Sequence, residues 1–137
     1  MKNMFLILTV VSSFTLFAAD IEVRDAHIKP TLPGMSVTAI FMKITNNTKK
    51  DIRLLKVSGK FAPTFELHNM EMSEGKMVMR PVDSILIKSH STTELKSGGL
   101  HVMVFDAPKP IQKTKVYGAT LIFDNKEEIF TPIKVRD

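Results

Sequence analysis

From Asp20 onward the chain runs as short apolar or alternating stretches separated by turn residues, and nothing sustains a helical period. The pattern predicts strands over residues 21–28, 37–45, 52–57, 64–72, 77–81, 84–87, 92–95, 100–105, 116–123 and 128–135. Chain breakers fall between them: Pro30 to Gly34, Asn46-Asn47, Ser58-Gly59, Glu74-Gly75, Gly98-Gly99, Pro108 to Pro110 and Asp124-Asn125. Many short strands at such spacing predict an all-β domain, a Greek-key sandwich or barrel. No repeat, low-complexity tract or Pro/Ser linker divides it, so residues 20–137 read as one domain.

Ahead of that domain the alternation stops. Residues 1–19 read MKNMFLILTVVSSFTLFAA: one lysine, an apolar run from Met4 to Phe17, then two alanines. A positive start, a short apolar stretch and a small-residue exit describe a secretory signal peptide. Cleavage is expected after Ala18 or Ala19, leaving an exported, soluble product. A membrane anchor is the competing reading, but the run is barely long enough to span and no basic stop-transfer cluster follows.

Composition narrows the chemistry. Among 137 residues there are nine methionines, no cysteine and no tryptophan. The missing thiol excludes disulfide scaffolds, thiolate zinc sites, iron–sulfur clusters, thiol catalysis, cysteine-dependent copper centres and lipid attachment at a cysteine. The net charge of +5 favours acidic partners or anionic surfaces. Its lysines are scattered over loops (Lys49-Lys50, Lys109, Lys113, Lys115), so no nucleic-acid partner is expected of an exported chain. Serine, histidine and aspartate are present without a nucleophile motif, and a domain this small offers little pocket volume, so an enzyme is not expected.

Methionine and histidine concentrate in two segments, residues 66–81 and 98–105. Side chains of a strand alternate between its faces. In the second segment Val102 and Val104 take the core face, which leaves His101, Met103 and Phe105 on the other. In the first, Phe65 and Leu67 face the core, and Glu66, His68, Met70 and Met72 face away. Ser73 to Lys76 reads as a hairpin turn. An even loop sets Met72 opposite Met77 and Met70 opposite Met79, with His68 diagonal to Met79 at roughly 7–8 Å between backbones. A three-residue loop would send Met79 to the wrong face. Met35 and Met42 read as core fillers, and His27 and His90 as isolated surface or satisfied groups. Met70, Met72 and Met77 read as an adaptable apolar rim, with auxiliary ligands as the alternative.

Two imidazoles and two thioethers on one surface favour Cu(I), because thioether sulfur is soft, neutral and needs no deprotonation. Such a cationic site is expected to lie shallow, near water or a carboxylate such as Glu66. Spacing alone leaves two readings for His68, Met79, His101 and Met103: a soft-metal site, or a sticky interface on an exported non-metal module.

The same four residues form an H-x10-M-x21-H-x-M pattern, which resembles the PCu(A)C-type periplasmic copper chaperones. Glu66-Leu67-His68, Gly75, Met79-Arg80-Pro81-Val82, Gly98-Gly99-x-His101-x-Met103, Asn46 and Leu121-x-Phe123 match in order, so the likeness covers nearly the whole domain. It implies a cupredoxin-like β-sandwich with His68, Met79, His101 and Met103 as ligands of one Cu(I) per chain. It further implies a monomeric periplasmic carrier that delivers copper to cytochrome c oxidase, at its CuA centre, alongside a Sco-like thioredoxin-fold protein. Sequestration for copper resistance uses the same site and is the alternative destination. Two departures stand out: Ser97 stands where a proline is common before Gly-Gly, and residues 131–137 lack the His/Met-rich tail of some members, so a tail-borne Cu(II) site is not expected.

Overall fold

The computed structural model describes residues 10–137; the first nine residues of the expected signal peptide lie outside the described residues. Ten strands follow one another: β1 (Ile21–Ile28), β2 (Thr38–Asn46), β3 (Ile52–Ser58), β4 (Thr64–Ser73), β5 (Lys76–Pro81), β6 (Ile85–Ile87), β7 (Ser91–Leu95), β8 (His101–Phe105), β9 (Val116–Phe123) and β10 (Glu128–Val135). All ten predicted strands are present, with ends shifted by at most a residue, and no helix occurs among the described residues. The described stretch before β1, residues 10–20, carries no regular structure. Its Val10, Val11, Phe14, Leu16 and Phe17 stand fully in solvent, so this apolar run contributes nothing to the core.

Hydrogen bonding orders the strands β5-β4-β8-β2-β1-β10-β9-β3-β6, with β7 also pairing β2 beyond the end of β8. β1 is the hinge of the sheet. It runs antiparallel to β2 and parallel to β10, and a register shift between Arg24 and His27, with Asp25 at φ 56°, bends it from one layer toward the other. The sheet folds over so that β3 lies against β4, and β6 against β7 and β2, without pairing to them. The result is a cupredoxin-like sandwich.

The core is built by alternation. Ile40, Met42 and Ile44 of β2, Val102 and Val104 of β8, Leu54 and Val57 of β3, Leu121 and Phe123 of β9 and Ile133 of β10 all point between the layers. Each such side chain contributes about 1.5–3 kcal/mol by leaving water. Met42 is the core filler expected, whereas Met35, expected there too, is about half exposed in the loop before β2. That loop makes its own turn, Met35 N–H donating to the Leu32 carbonyl, and never brings the side chain inward. Asn46 ends β2 inside the sandwich with every polar atom engaged. Its amide donates to the Lys50 and Ile87 carbonyls at 2.7 and 3.0 Å, and its carbonyl accepts from the Thr48 backbone N–H and hydroxyl.

A candidate copper centre on the outer face of the sheet

Three strands place the four candidate residues. β4 and β8 are neighbours, with His68 directly opposite His101 and Glu66 directly opposite Met103. β4 turns into β5 through Glu74-Gly75, whose φ angles of 50° and 78° are the left-handed pair of a two-residue hairpin. Ser73 therefore pairs Lys76, Met72 pairs Met77, Met70 pairs Met79 and His68 pairs Pro81. Met79 lies diagonal to His68 on the outer face, the register an even loop requires.

The depth of the site differs from the shallow surface expected. His68, His101 and Met103 are 7%, 4% and 9% exposed, while Met79 is 43% exposed. The reason is a row of rings crossing four strands on this face. His68 and His101 lie 5.8 Å apart, His101 and Phe41 6.3 Å, and Phe41 and His27 5.5 Å, with Phe105 against His68 at 6.1 Å. Each ring shields the next. Phe41 was missed in the sequence, although its position on the polar side of β2, beside Lys43, marked it as an aromatic without a core role. His27 closes the row, so it is not isolated in space. Its Nδ1 is engaged, however, against the Asp25 carbonyl at 2.8 Å and Arg136.

The two inner imidazoles are each held by one nitrogen. His68 Nε2 meets Glu66 Oε2 at 2.7 Å, and His101 Nδ1 donates to the Gly99 carbonyl at 2.7 Å. The opposite nitrogens, His68 Nδ1 and His101 Nε2, are buried and have no hydrogen-bond partner. Buried polar atoms are almost always paired, so two such orphans on facing residues need an explanation. A metal ion supplies one. A ligating histidine characteristically donates its other ring N–H to a carboxylate or backbone carbonyl, which fixes the tautomer and leaves a lone pair free. The role of the Gly99 carbonyl has no signal in the sequence, being backbone.

The donors select for softness. Among the described residues no three His, Cys, Asp or Glu side chains converge as a metal-binding group. The set that could hold an ion here is two imidazoles with thioethers, which suits Cu(I) better than calcium, magnesium or zinc. A cleft of about 760 Å³ opens away from the site, between Phe61, Tyr117 and Phe130 over β9 and β10, and one of about 320 Å³ is lined by His27 and Phe41 at the far end of the ring row. The candidate centre is a buried row of donors with one open end.

Known proteins place this geometry. A model of the LpqE-like family, described as "Putative lipoprotein LpqE-like", matches residues 21–135. No curated protein matches the chain. Among solved structures, the copper-bound PCuAC domain from PmoF2 superposes with a TM-score of 0.74 at 19% identity, over 88% of this chain and 96% of that one. Apo-DR1885 from Deinococcus radiodurans gives a TM-score of 0.66 at 21% identity, over 100% of this chain and 94% of that one. Its Cu(I) form gives 0.60 at 22% identity, over 83% and 78%. At such identities the likeness establishes a common fold.

Proposed function

The chain belongs to the LpqE-like family, and on that premise we propose that it is an exported Cu(I) carrier, a metallochaperone and not an enzyme. The observation that carries this reading is the pair of unpartnered buried nitrogens, His68 Nδ1 and His101 Nε2, on directly opposed residues. His68, Met79, His101 and Met103 hold one Cu(I). Copper-bound neighbours of the same fold, the PmoF2 domain and Cu(I)-DR1885, support the choice of metal.

The chain's own groups divide the work. The Gly99 carbonyl holds the His101 ring so that Nε2 offers its lone pair. Glu66 does the same for His68 and supplies a negative charge beside a site whose four donors are neutral. Met103 lies behind the imidazoles, excluded from water, and Met79 stands at the open end. Bound copper is held as Cu(I) by the soft donors and leaves by ligand exchange, an acceptor's thiolate displacing a thioether first. Exposure of Met79 favours transfer over storage, because a purely sequestering site gains by covering every donor.

Export is read from the N-terminal stretch: residues 1–19 act as a signal peptide, and in the part described Val10, Val11, Phe14, Leu16 and Phe17 stand in solvent. The family description supports the same destination, although this sequence has no cysteine to carry a lipid. In the periplasm a monomer of residues 20–137 would deliver copper to the CuA centre of cytochrome c oxidase or to a Sco-like partner.

Titration with Cu(I) against a competing chelator tests the site. One equivalent should be withheld from the chelator by the wild type, and the Met79→Ala/Met103→Ala variant should lose it. Wild-type affinity in that variant would refute these ligands. Delivery is checked separately: oxidase activity in cells lacking the protein should return with the wild-type gene and not with His68→Ala/His101→Ala.

A further inference from the structure

The β4–β5 hairpin carries more methionine than the centre uses. On its outer face Met70 opposes Met79 and Met72 opposes Met77, and no other apolar residue type occupies these two rows. Directly opposed side chains start about 5 Å apart, and successive rows lie about 7 Å along the strand. Methionine has three rotatable bonds, so sulfurs from both rows can meet at one point. The reverse face of the same hairpin is polar apart from Val78, with Lys76, Arg80 and an exposed Glu71–Arg80 ion pair. The hairpin tip therefore projects beyond the core. Met72 and Met77 are 65% and 52% exposed, too open to be packing residues.

Methionine also suits an adaptable docking rim, but such a rim can mix in the leucine, valine and isoleucine that fill the core of this same domain. Thioether at every position points instead to sulfur chemistry. We infer that Met70, Met72 and Met77 form a second, outer Cu(I) site, made of thioethers alone, that takes up copper and passes it inward through Met79. Met79 is the cross-strand partner of Met70 and the diagonal neighbour of His68, so it touches both sites. In the hand-over the Met79 sulfur bonds the ion as an outer sulfur lets go. Copper stays Cu(I), and no proton moves, because a thioether carries none. The inward direction rests on the copper-carrier reading above, whereas binding at the outer site does not.

The test is a titration of the full chain with Ag(I), a soft and redox-inert stand-in, and then with Cu(I), following methionine methyl and imidazole resonances. Two ions should bind. The first should shift Met79, Met103 and both imidazoles, and the second Met70, Met72 and Met77. Met72→Leu/Met77→Leu, at exposed positions that do not endanger folding, should bind one ion and keep the imidazole shifts. Unmoved Met72 and Met77 methyls through two equivalents, or two ions still bound by Met72→Leu/Met77→Leu, would overturn the outer site. Unmoved imidazoles beside shifted outer methyls would confirm the outer site and refute the inner one.

Discussion

Asn46 shows how much a single side chain holds in this fold. It is 1% exposed and pairs with Lys50, Ile87 and Thr48, stitching the end of β2 to the loop that follows and to β6. Asn46→Ala would take this partner from the buried Ile87 carbonyl, a loss of about 1–3 kcal/mol, and from the part-buried Lys50 carbonyl and Thr48 N–H. Its urea midpoint should fall strongly, with copper affinity unchanged. Gly59 and Gly118 give a second contrast. A methyl at Gly59 would sit 2.9 Å from the Gly118 carbonyl and 3.0 Å from the Phe61 and Phe65 rings, and a backbone oxygen cannot step aside. At Gly118 the obstacle is the Phe130 ring, itself 70% exposed and free to swing out. Gly59→Ala should therefore cost about 1–3 kcal/mol, and Gly118→Ala clearly less, as thermal melts of the two would show.

Among the elements, the strands themselves were the most legible part of the sequence. Alternation and breakers mark all ten, because the strands have one face on the core and one turned away; β5, with no buried residue, is marked by its turn and its methionine spacing instead. The hairpin register was legible too, since Glu74-Gly75 allows a tight two-residue turn. What alternation cannot convey is what covers the outer face. His101 and Met103 read as outward, and they are; yet both are buried, with Phe41 from β2 packed against His101 and Phe105 from β8 against His68. Proximity in the row depends on which strands become neighbours, and that is a property of the sheet order. The same limit hid His27, sequence-distant from His101 but two rings away. The hairpin tip, lacking a core face, should be the least protected of the paired segments. Amides of residues 72–77 should exchange faster than those of β8 in the apo protein, a local opening that hydrogen exchange would resolve. The Glu71–Arg80 pair does little to prevent it, being half exposed and worth at most about 1 kcal/mol.

For the molecule as a whole, copper at the proposed site would act as a clasp. Its proposed ligands come from β4, β5 and β8, so the loaded site ties the edge hairpin to the middle of the sheet. A ligand that binds only the folded state stabilises by about 4 kcal/mol at a thousandfold excess over its Kd. Cu(I) should accordingly raise the melting temperature by several degrees and slow exchange at the hairpin. At one equivalent both effects should be smaller in His68→Ala/His101→Ala, which keeps only the outer site on the hairpin. A melt unchanged by one equivalent of Cu(I) would argue against a site spanning these strands.

The uneven burial of the donors has a kinetic meaning. Three of the proposed donors are buried and Met79 is exposed, so water would have poor access to a bound ion while another protein's sulfur would have one approach, along the hairpin. Unassisted loss of copper and assisted loss then become separate rates. The first is set by the ring row, and the second by how often an acceptor arrives at Met79. Residence time alone in dilute solution would be long, and release would accelerate in proportion to acceptor concentration. A long-lived complex and a quick hand-over are thereby compatible in one small domain.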